Sequence, residues 1–280
     1  QFMGRGKWKP MKSWEQEPQA GSSVYTTIDA DLQMVAYDAL YKQLSEFEAQ
    51  HGSVVVMEVQ TGKVRAIVNL SRKKDGTYID DYNYAVGEAA EPGSTFKTVS
   101  LLAAMDDGFI NKNSTVETGG GSYKFYGRTI TDTHGYGTLT VDGVMKKSSN
   151  IGTAKIINKY YGENPKAFFK KMDKWHMTSP LGVDILGEGS PIMHRPDSKS
   201  WSNITLPVMG YGYGLQLTPI QIVTFYNAVA NNGRMLKPLF MDKITRKGEP
   251  DKIFEPVVLV DQLTSLENVK QMQEMLRGAV

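Results

Sequence analysis

A seven-residue segment, E-P-G-S-T-F-K at residues 91–97, constrains this chain more than any other part of it. It runs directly into a largely apolar stretch at 99–105. Pro92 stops a preceding helix, Gly93 permits another part of the chain to come close, and Ser94 is a residue type that favours helix starts. The segment therefore predicts a helix that begins near Ser94 and is enclosed by protein over its next two turns.

Ser94 and Lys97 are three residues apart, so one helical turn places their side chains on the same face. A serine hydroxyl becomes a strong nucleophile when a base removes its proton, and an amine can be that base only when it is neutral. Burial favours the neutral form, and moving a lysine pKa from about 10.4 to near 7 corresponds to about 4 kcal/mol. Backbone N–H groups at the helix start would stabilise an oxyanion beside the serine. The pair predicts a nucleophile and its base.

The S-x-x-K spacing also occurs at Ser71–Lys74. About one such spacing is expected by chance in a chain of this size. This second copy lies in a polar run that ends at Asp75 and Gly76, which is typical of an exposed turn. We therefore assign the chemistry to Ser94 and Lys97.

A second candidate group, Ser148 and Asn150, lies between two predicted helices. Thr140 is a good N-cap for a short helix, and a helical pattern resumes at Ile151. A short connection between packed helices can hold a hydroxyl that relays a proton and an amide that binds a peptide bond. Serine and asparagine are also ordinary turn residues, so this assignment depends on Ser94 upstream.

Composition excludes several classes of function. The net charge is +2 with no basic stripe, which argues against nucleic-acid binding. The chain has no cysteine, and its four histidines are far apart in sequence, so we expect no metal. The glycine-rich runs at 119–121 and 210–214 lack the spacing of nucleotide-binding loops, so we expect no cofactor. The printed sequence contains neither an apolar run long enough to cross a membrane nor a signal-peptide pattern.

The predicted organisation is a linker at residues 1–22, from an upstream region, followed by one folded domain at 23–280. Strand, helix and hairpin patterns alternate through the first part of this domain. The main predicted features are a strand at 24–28, a helix capped by Asp29, a hairpin formed by 53–59 and 63–70, a loop-rich region at 109–139, and a last helix opened by a Thr264-x-x-Glu267 capping box.

Five motifs occur in an order that resembles one known family. They are T-T-I-D-A-D-L-Q at 26–33, T-G-K-V-R-A-I at 61–67, E-P-G-S-T-F-K at 91–97, K-S-S-N-I-G at 147–152 and G-Y-G-L-Q-L-T-P-I-Q at 212–221. From residue 23 onward, the chain resembles the transpeptidase domain of class B penicillin-binding proteins, in particular the division-specific, FtsI-like type.

The resemblance implies an α+β fold (an α/β sandwich) of the β-lactamase/transpeptidase type, with a roughly five-stranded antiparallel sheet flanked by helices and a helical region. It implies that Ser94 attacks the penultimate D-Ala carbonyl of a peptidoglycan stem peptide ending in D-Ala-D-Ala. Lys97 would be the base, Ser148 would pass the proton to the leaving D-Ala, and Asn150 would hold the substrate amide. An amine of a neighbouring strand would then take the acyl group, and β-lactams would trap the serine.

The resemblance also implies division proteins as partners. It implies a location on the extracytoplasmic side of the bacterial cell membrane, with an anchor in an N-terminal region outside this sequence.

One motif of the family is missing from residues 1–280. K-[ST]-G does not occur, and the nearest string, Thr61-Gly62-Lys63, has the wrong order. Its usual place follows the helix predicted to end near Gly278, so we expect the sequence to stop just before it and the fragment to be slow or inactive. Two alternatives stay open: a serine D,D-carboxypeptidase or β-lactamase, although no E-x-x-L-N segment is present, and a non-catalytic penicillin-binding sensor or divisome scaffold.

Overall fold

The computed structural model describes residues 21–279, so most of the predicted linker at 1–22 lies outside the described residues. The helices are α1 (Ala30–Phe47), α2 (Tyr84–Gly87), α3 (Phe96–Asp106), α4 (Val141–Lys146), α5 (Asn150–Tyr161), α6 (Pro165–Lys174), α7 (Thr205–Gly210), α8 (Pro219–Ala230) and α9 (Leu266–Arg277). The strands are β1 (Ser23–Thr26), β2 (His51–Met57), β3 (Val64–Arg72), β4 (Tyr78–Ile79), β5 (Thr115–Gly119), β6 (Ser122–Phe125), β7 (Arg128–Thr131), β8 (Gly137–Thr140), β9 (Ile192–Met193), β10 (Leu215–Gln216), β11 (Met235–Leu236), β12 (Met241–Thr245), β13 (Lys252–Ile253) and β14 (Val258–Val260).

Two three-stranded antiparallel sheets form the β layer. One has the order β2-β3-β4 and contains the predicted hairpin, and the other has the order β1-β12-β13. They meet where the Val64 N–H donates to the Leu239 carbonyl at 2.9 Å and the Leu239 N–H donates to the Gly62 carbonyl at 2.9 Å. Thr27 strengthens this junction, because its hydroxyl contacts the carbonyls of Val64 and Leu239 at 2.7 and 2.8 Å. Within the described residues, β2 pairs with β3 alone.

The region 109–139 was expected to be loop-rich, and that expectation is wrong. It contains the antiparallel pairs β5/β8 and β6/β7. The strands are only four or five residues long, and glycines with positive φ, such as Gly121 (+90°) and Gly127 (+88°), turn the chain between them. Runs this short carry too few alternating positions for the pattern to show in the sequence.

Two of the predicted helix caps are correct and one is displaced. Asp29 accepts the N–H groups of residues 31 and 32, and Thr140 accepts that of Gly143 at 3.0 Å. The last helix is capped by Ser265, which accepts the Asn268 N–H at 3.2 Å, and not by Thr264. Thr264 is buried, and its hydroxyl accepts the side-chain amide of Asn268 instead.

Helix α3 is the centre of the main core. Every residue from 96 to 105 is buried, so the prediction of an enclosed helix is confirmed. Helices α4, α5, α7 and α9 all contact it. Antiparallel strands flanked by helices, with a separate helical region, confirm the predicted fold class. Among residues 21–279, the β layer consists of these two three-stranded sheets and contains no single five-stranded sheet of the kind implied by the resemblance. No helix among residues 21–279 has the length and apolarity needed to cross a membrane.

Candidate active site

Ser94 lies in a short 3₁₀ turn, Gly93–Thr95, that leads into α3. The prediction that the α-helix begins near Ser94 is therefore two residues early, and no side chain caps this turn. Gly93 has φ of +57°, a value that suits glycine and sharpens the entry into the helix. The Ser94 side chain consequently reaches the surface, while the helix behind it is buried.

The 210–217 segment holds this turn in place. The Gly93 N–H donates to the Gly212 carbonyl at 3.0 Å, and the Gly214 N–H donates to Glu91 Oε1 at 2.8 Å. Only glycine fits at position 212, because a Cβ there would lie 1.8 Å from the Gly93 carbonyl oxygen. The glycine-rich run at 210–214 thus serves as a backbone support for the turn that carries Ser94.

Tyr226 of α8 supports the same turn from the other side. Its hydroxyl donates to the Thr95 carbonyl at 2.9 Å and lies 2.8 Å from the Thr98 hydroxyl. Burial raises the pKa of this phenol, so it stays protonated and remains a donor. The turn is therefore held both by the 210–217 segment and by α8.

Lys97 occupies the first turn of α3 and is only 1% exposed. Its Nζ lies 2.9 Å from Ser94 Oγ, 2.8 Å from Ser148 Oγ and 2.6 Å from the Ser148 carbonyl oxygen. Burial lowers the pKa of Lys97 to about 8, and the negative charge of Asp132 acts in the opposite direction. A substantial fraction of the amine is thus neutral near physiological pH, as a general base requires.

Ser148 lies on the connection between α4 and α5, where the sequence pattern placed it. It has φ of +51°, which turns both its hydroxyl and its carbonyl towards Lys97. The Ser148 hydroxyl is also 2.9 Å from Ser94 Oγ. Ser94, Lys97 and Ser148 therefore form a closed triangle of polar atoms, which provides a route for a proton between the two hydroxyls and the amine.

Asn150 is the first residue of α5, and its side chain is half-buried. Its Nδ2 donates to the Thr131 carbonyl at 3.0 Å, which fixes the orientation of the carboxamide. Within the described residues, Asn150 makes no hydrogen bond to Ser94, Lys97 or Ser148. The assignment of Asn150 to substrate binding stays a prediction.

The sequence reasoning missed Asp132. Its Oδ2 accepts the Ser149 hydroxyl at 2.5 Å, and its Oδ1 accepts the N–H groups of Asn150 at 2.6 Å and Ile151 at 3.1 Å. Asp132 follows β7 in the region that was expected to be loop-rich, and its sequence context resembles that of any acidic turn residue. β7 packs against α5, and this packing brings Asp132 to the α4–α5 connection.

The second S-x-x-K copy has a different environment. Ser71 is part of β3, pairs with Ile79 of β4 and donates its hydroxyl to Asp81. Lys73 and Lys74 follow in an exposed turn. These contacts agree with the choice of Ser94 over Ser71. Among residues 21–279, no group of three histidine, aspartate or glutamate side chains is arranged to hold a metal ion.

An apolar hollow of about 530 Å³ lies beside the turn that carries Ser94. Its walls come from β2, the 90–95 segment and α8, with Val55, Thr95 and Tyr226 among the lining residues. β2 is also the strand whose outer edge is unpaired within the described residues. The hollow and the open edge are continuous through Ser53 and Val55.

Comparison with known proteins decides the family. Residues 52–280 match the family described as penicillin binding protein transpeptidase domain. This chain belongs to that family. The recognition made from the sequence motifs is thereby confirmed.

Named relatives and a solved structure agree with this membership. The chain is 31% identical over 234 residues to "Probable peptidoglycan D,D-transpeptidase PenA" of Neisseria flavescens, covering 80% of this chain and 55% of that protein. It is 27% identical to "Peptidoglycan D,D-transpeptidase FtsI" of Escherichia coli K12, covering 90% and 42%. Penicillin binding protein 3 of Mycobacterium tuberculosis, complexed with ampicillin, superposes with a TM-score of 0.83 at 25% identity, covering 95% and 59%. The chain spans about half the length of these curated relatives.

Proposed function

We propose that this chain is the catalytic domain of a peptidoglycan D,D-transpeptidase that works through a serine acyl-enzyme. The observation that carries the proposal is the buried Lys97 amine, which lies within 2.9 Å of both the Ser94 and the Ser148 hydroxyls. Membership of the transpeptidase family supplies the substrate class: stem peptides that end in D-Ala-D-Ala.

Acylation begins when neutral Lys97 accepts the proton of Ser94 Oγ, as the oxygen attacks the penultimate D-Ala carbonyl carbon. The resulting oxyanion is stabilised by backbone N–H groups at the start of the helix. Collapse of this intermediate breaks the peptide bond, and the proton passes from Lys97 through the Ser148 hydroxyl to the nitrogen of the departing D-Ala. Ser94 is left as an ester.

The second half of the reaction reverses these proton transfers. An amine of a neighbouring stem peptide attacks the ester carbonyl, and its proton passes through Ser148 and Lys97 back to the Ser94 oxygen as the ester bond breaks. The product is a new peptide cross-link. Asn150 holds the substrate amide through the part of its carboxamide that does not bind Thr131.

We also propose that the sheet of this domain continues beyond the outer edge of β2, with strands that include the family's K-[ST]-G motif. The unpaired edge of β2 and the apolar hollow between β2 and α8 support this extension. Such a strand would supply a further oxyanion donor and a group that binds the substrate carboxylate. Residues 23–280 would then be a transpeptidase domain that lacks this strand, preceded by a linker at 1–22.

The finer assignments follow from the likeness to FtsI and PenA. They are a role in septal cell-wall synthesis, contacts with division proteins, and a place outside the cytoplasmic membrane with an N-terminal anchor. β-Lactam inhibition is supported by the ampicillin complex of the Mycobacterium protein, whose fold this chain shares.

Covalent labelling tests the proposal. A fluorescent penicillin should label the protein, and Ser94→Ala should abolish the label, because the acyl group is proposed to form an ester with Ser94 Oγ. Ser71→Ala is the matched control and should label normally. Labelling that persists in Ser94→Ala would refute the assignment of the nucleophile.

A second assay separates the competing activities. The protein is incubated with a D-Ala-D-Ala peptide, with and without an amine acceptor, and both free D-Ala and cross-linked product are measured. Both enzymes release D-Ala, but a transpeptidase transfers the acyl group to the amine and forms the cross-linked product, whereas a carboxypeptidase transfers it to water alone. Labelling with penicillin but no D-Ala release, even from a polypeptide that includes K-[ST]-G, would indicate a sensor or scaffold.

A further inference from the structure

The Asp132 carboxylate holds the connection between α4 and α5 through three short hydrogen bonds. Oδ2 accepts from the Ser149 hydroxyl at 2.5 Å, and Oδ1 accepts from the backbone N–H groups of Asn150 at 2.6 Å and Ile151 at 3.1 Å. Hydrogen bonds to an ionised acceptor are about twice as strong as neutral ones. Ser149 is fully buried, so its hydroxyl cannot turn to water for a replacement. The carboxylate thus fixes three consecutive residues directly after Ser148.

This connection needs to be held, because Ser148 has a left-handed backbone conformation with φ of +51°. A residue with a side chain adopts that conformation only when its surroundings impose it. The same conformation presents both the Ser148 hydroxyl and its carbonyl to Lys97 Nζ, at 2.8 and 2.6 Å. Relaxation of the backbone at Ser148 would therefore disturb both contacts with Lys97.

Asp132 also acts on Lys97 electrostatically. The hydrogen-bond partners of Lys97 Nζ are uncharged: Ser94 on its own helical segment and Ser148 on the α4–α5 connection. Among the described residues, Asp132 is the charged group that shifts the pKa of Lys97, and it raises that pKa against the effect of burial. The two influences together leave the pKa at about 8.

We propose that Asp132 is a positioning residue for acyl transfer: its carboxylate locks the α4–α5 connection in the conformation that presents Ser148 to Lys97. The inference rests on the proposed function of Lys97. Asp132 acts through its neighbours and touches neither the nucleophile nor the base.

The test compares three substitutions at this position. Asp132→Asn keeps an oxygen for the two backbone N–H groups and removes the charge. Asp132→Glu keeps the charge and alters the geometry, and Asp132→Ala removes both. Asp142→Asn is the matched control, since Asp142 lies on nearby α4 and its carboxylate pairs with Lys146. Penicillin acylation rates are measured from pH 6 to 10.

The expected results differ among the variants. Asp132→Asn moves the midpoint of the pH profile to lower pH, because the charge that favours protonated Lys97 is gone. Asp132→Glu keeps the midpoint and lowers the plateau, and Asp132→Ala lowers the plateau by about 10²-fold, as expected for a misplaced catalytic group. Asp142→Asn leaves the midpoint and the plateau of the pH profile unchanged.

An equal loss of rate at every pH in Asp132→Asn, with an unmoved midpoint, would overturn the electrostatic effect of Asp132 on Lys97. Unaltered plateau rates in Asp132→Ala would overturn the positioning role. The titration of Lys97 is also followed directly by NMR of labelled lysine, with the signal assigned from Lys97→Arg. One outcome separates the two proposals. If the wild type does not acylate, but the NMR titration midpoint of Lys97 still falls in Asp132→Asn, the proposed function is refuted and the electrostatic role of Asp132 is upheld.

Discussion

Replacing Lys97 by arginine separates positive charge from basicity at the centre of the site. Arginine keeps a cation one turn from Ser94, but its pKa above about 12 leaves no neutral form at physiological pH. Lys97, with a pKa of about 8, is about 9% neutral at pH 7. An unperturbed lysine at about 10.4 would be about 0.04% neutral, so burial raises the concentration of the active base by more than about 10²-fold.

The expected loss in Lys97→Arg is at least the roughly 10²-fold that a positioned general base contributes, and up to about 10⁴-fold. The larger guanidinium also has little room, because Lys97 is only 1% exposed and its Nζ has three partners within 2.9 Å. Both effects act on the acylation step. Binding of a β-lactam before acylation should change less.

The assay is the rate of acylation by a fluorescent penicillin, measured across pH 6 to 10 for the wild type and for the variant. The wild-type rate should rise with pH through a midpoint near 8, where Lys97 loses its proton. Circular dichroism of both proteins controls for unfolding. Near-normal acylation of folded Lys97→Arg, or a wild-type profile with no rise between pH 7 and 9, would refute the assignment of Lys97 as the base.

Three further predictions follow from the same geometry. Gly212→Ala should lower the acylation rate by about 10²-fold or more, because its Cβ would lie 1.8 Å from the Gly93 carbonyl oxygen. Gly120→Ala is the control and should acylate at the wild-type rate, because open space surrounds position 120. Equal acylation rates in the two variants would show that the 210–217 segment does not position Ser94. Between pH 8 and 10.5, Lys97 is protonated in the unfolded chain and largely deprotonated in the folded protein. The free energy of unfolding, measured by urea titration, should therefore rise across that window by about 3 kcal/mol relative to Lys97→Met. Identical pH dependence in the wild type and Lys97→Met would contradict the lowered pKa of Lys97. A polypeptide that extends about forty residues beyond Val280 and includes K-[ST]-G should acylate about 10²-fold faster than residues 1–280, because it gains an oxyanion donor, and equal rates would mean that the oxyanion site is complete within residues 1–280.

The triangle of Ser94, Lys97 and Ser148 could be predicted in part from the sequence, because each of its members has a local cause. Ser94 and Lys97 are joined by one helical turn, and the apolar run behind them predicts the burial that lowers the lysine pKa. Ser148 follows from the interruption between two helical patterns. Sequence alone could not give the distance between Ser148 and Lys97, which depends on how α3 and α5 pack.

Asp132 was not accessible in this way. Its three partners lie 17 to 19 residues later in the chain, and no periodic pattern links them. The strands that carry it to the site are four residues long and are separated by glycine turns, so they resemble a loop in the sequence. The cap of α9 shows a smaller failure of the same kind: Thr264 and Ser265 are both favoured cap residues, Thr264 is buried, and Ser265 caps the helix.

Peptide mapping of the acylated protein tests the central claim most directly. Trypsin separates the candidate serines onto different peptides: Ser71 in 66–72, Ser94 in 75–97 and Ser148 in 148–155. After reaction with benzylpenicillin, tandem mass spectrometry should place the added mass on Ser94 within peptide 75–97. An adduct on peptide 66–72 or 148–155, or none on any peptide of a folded polypeptide that includes K-[ST]-G, would contradict Ser94 as the nucleophile of an acyl-transfer site.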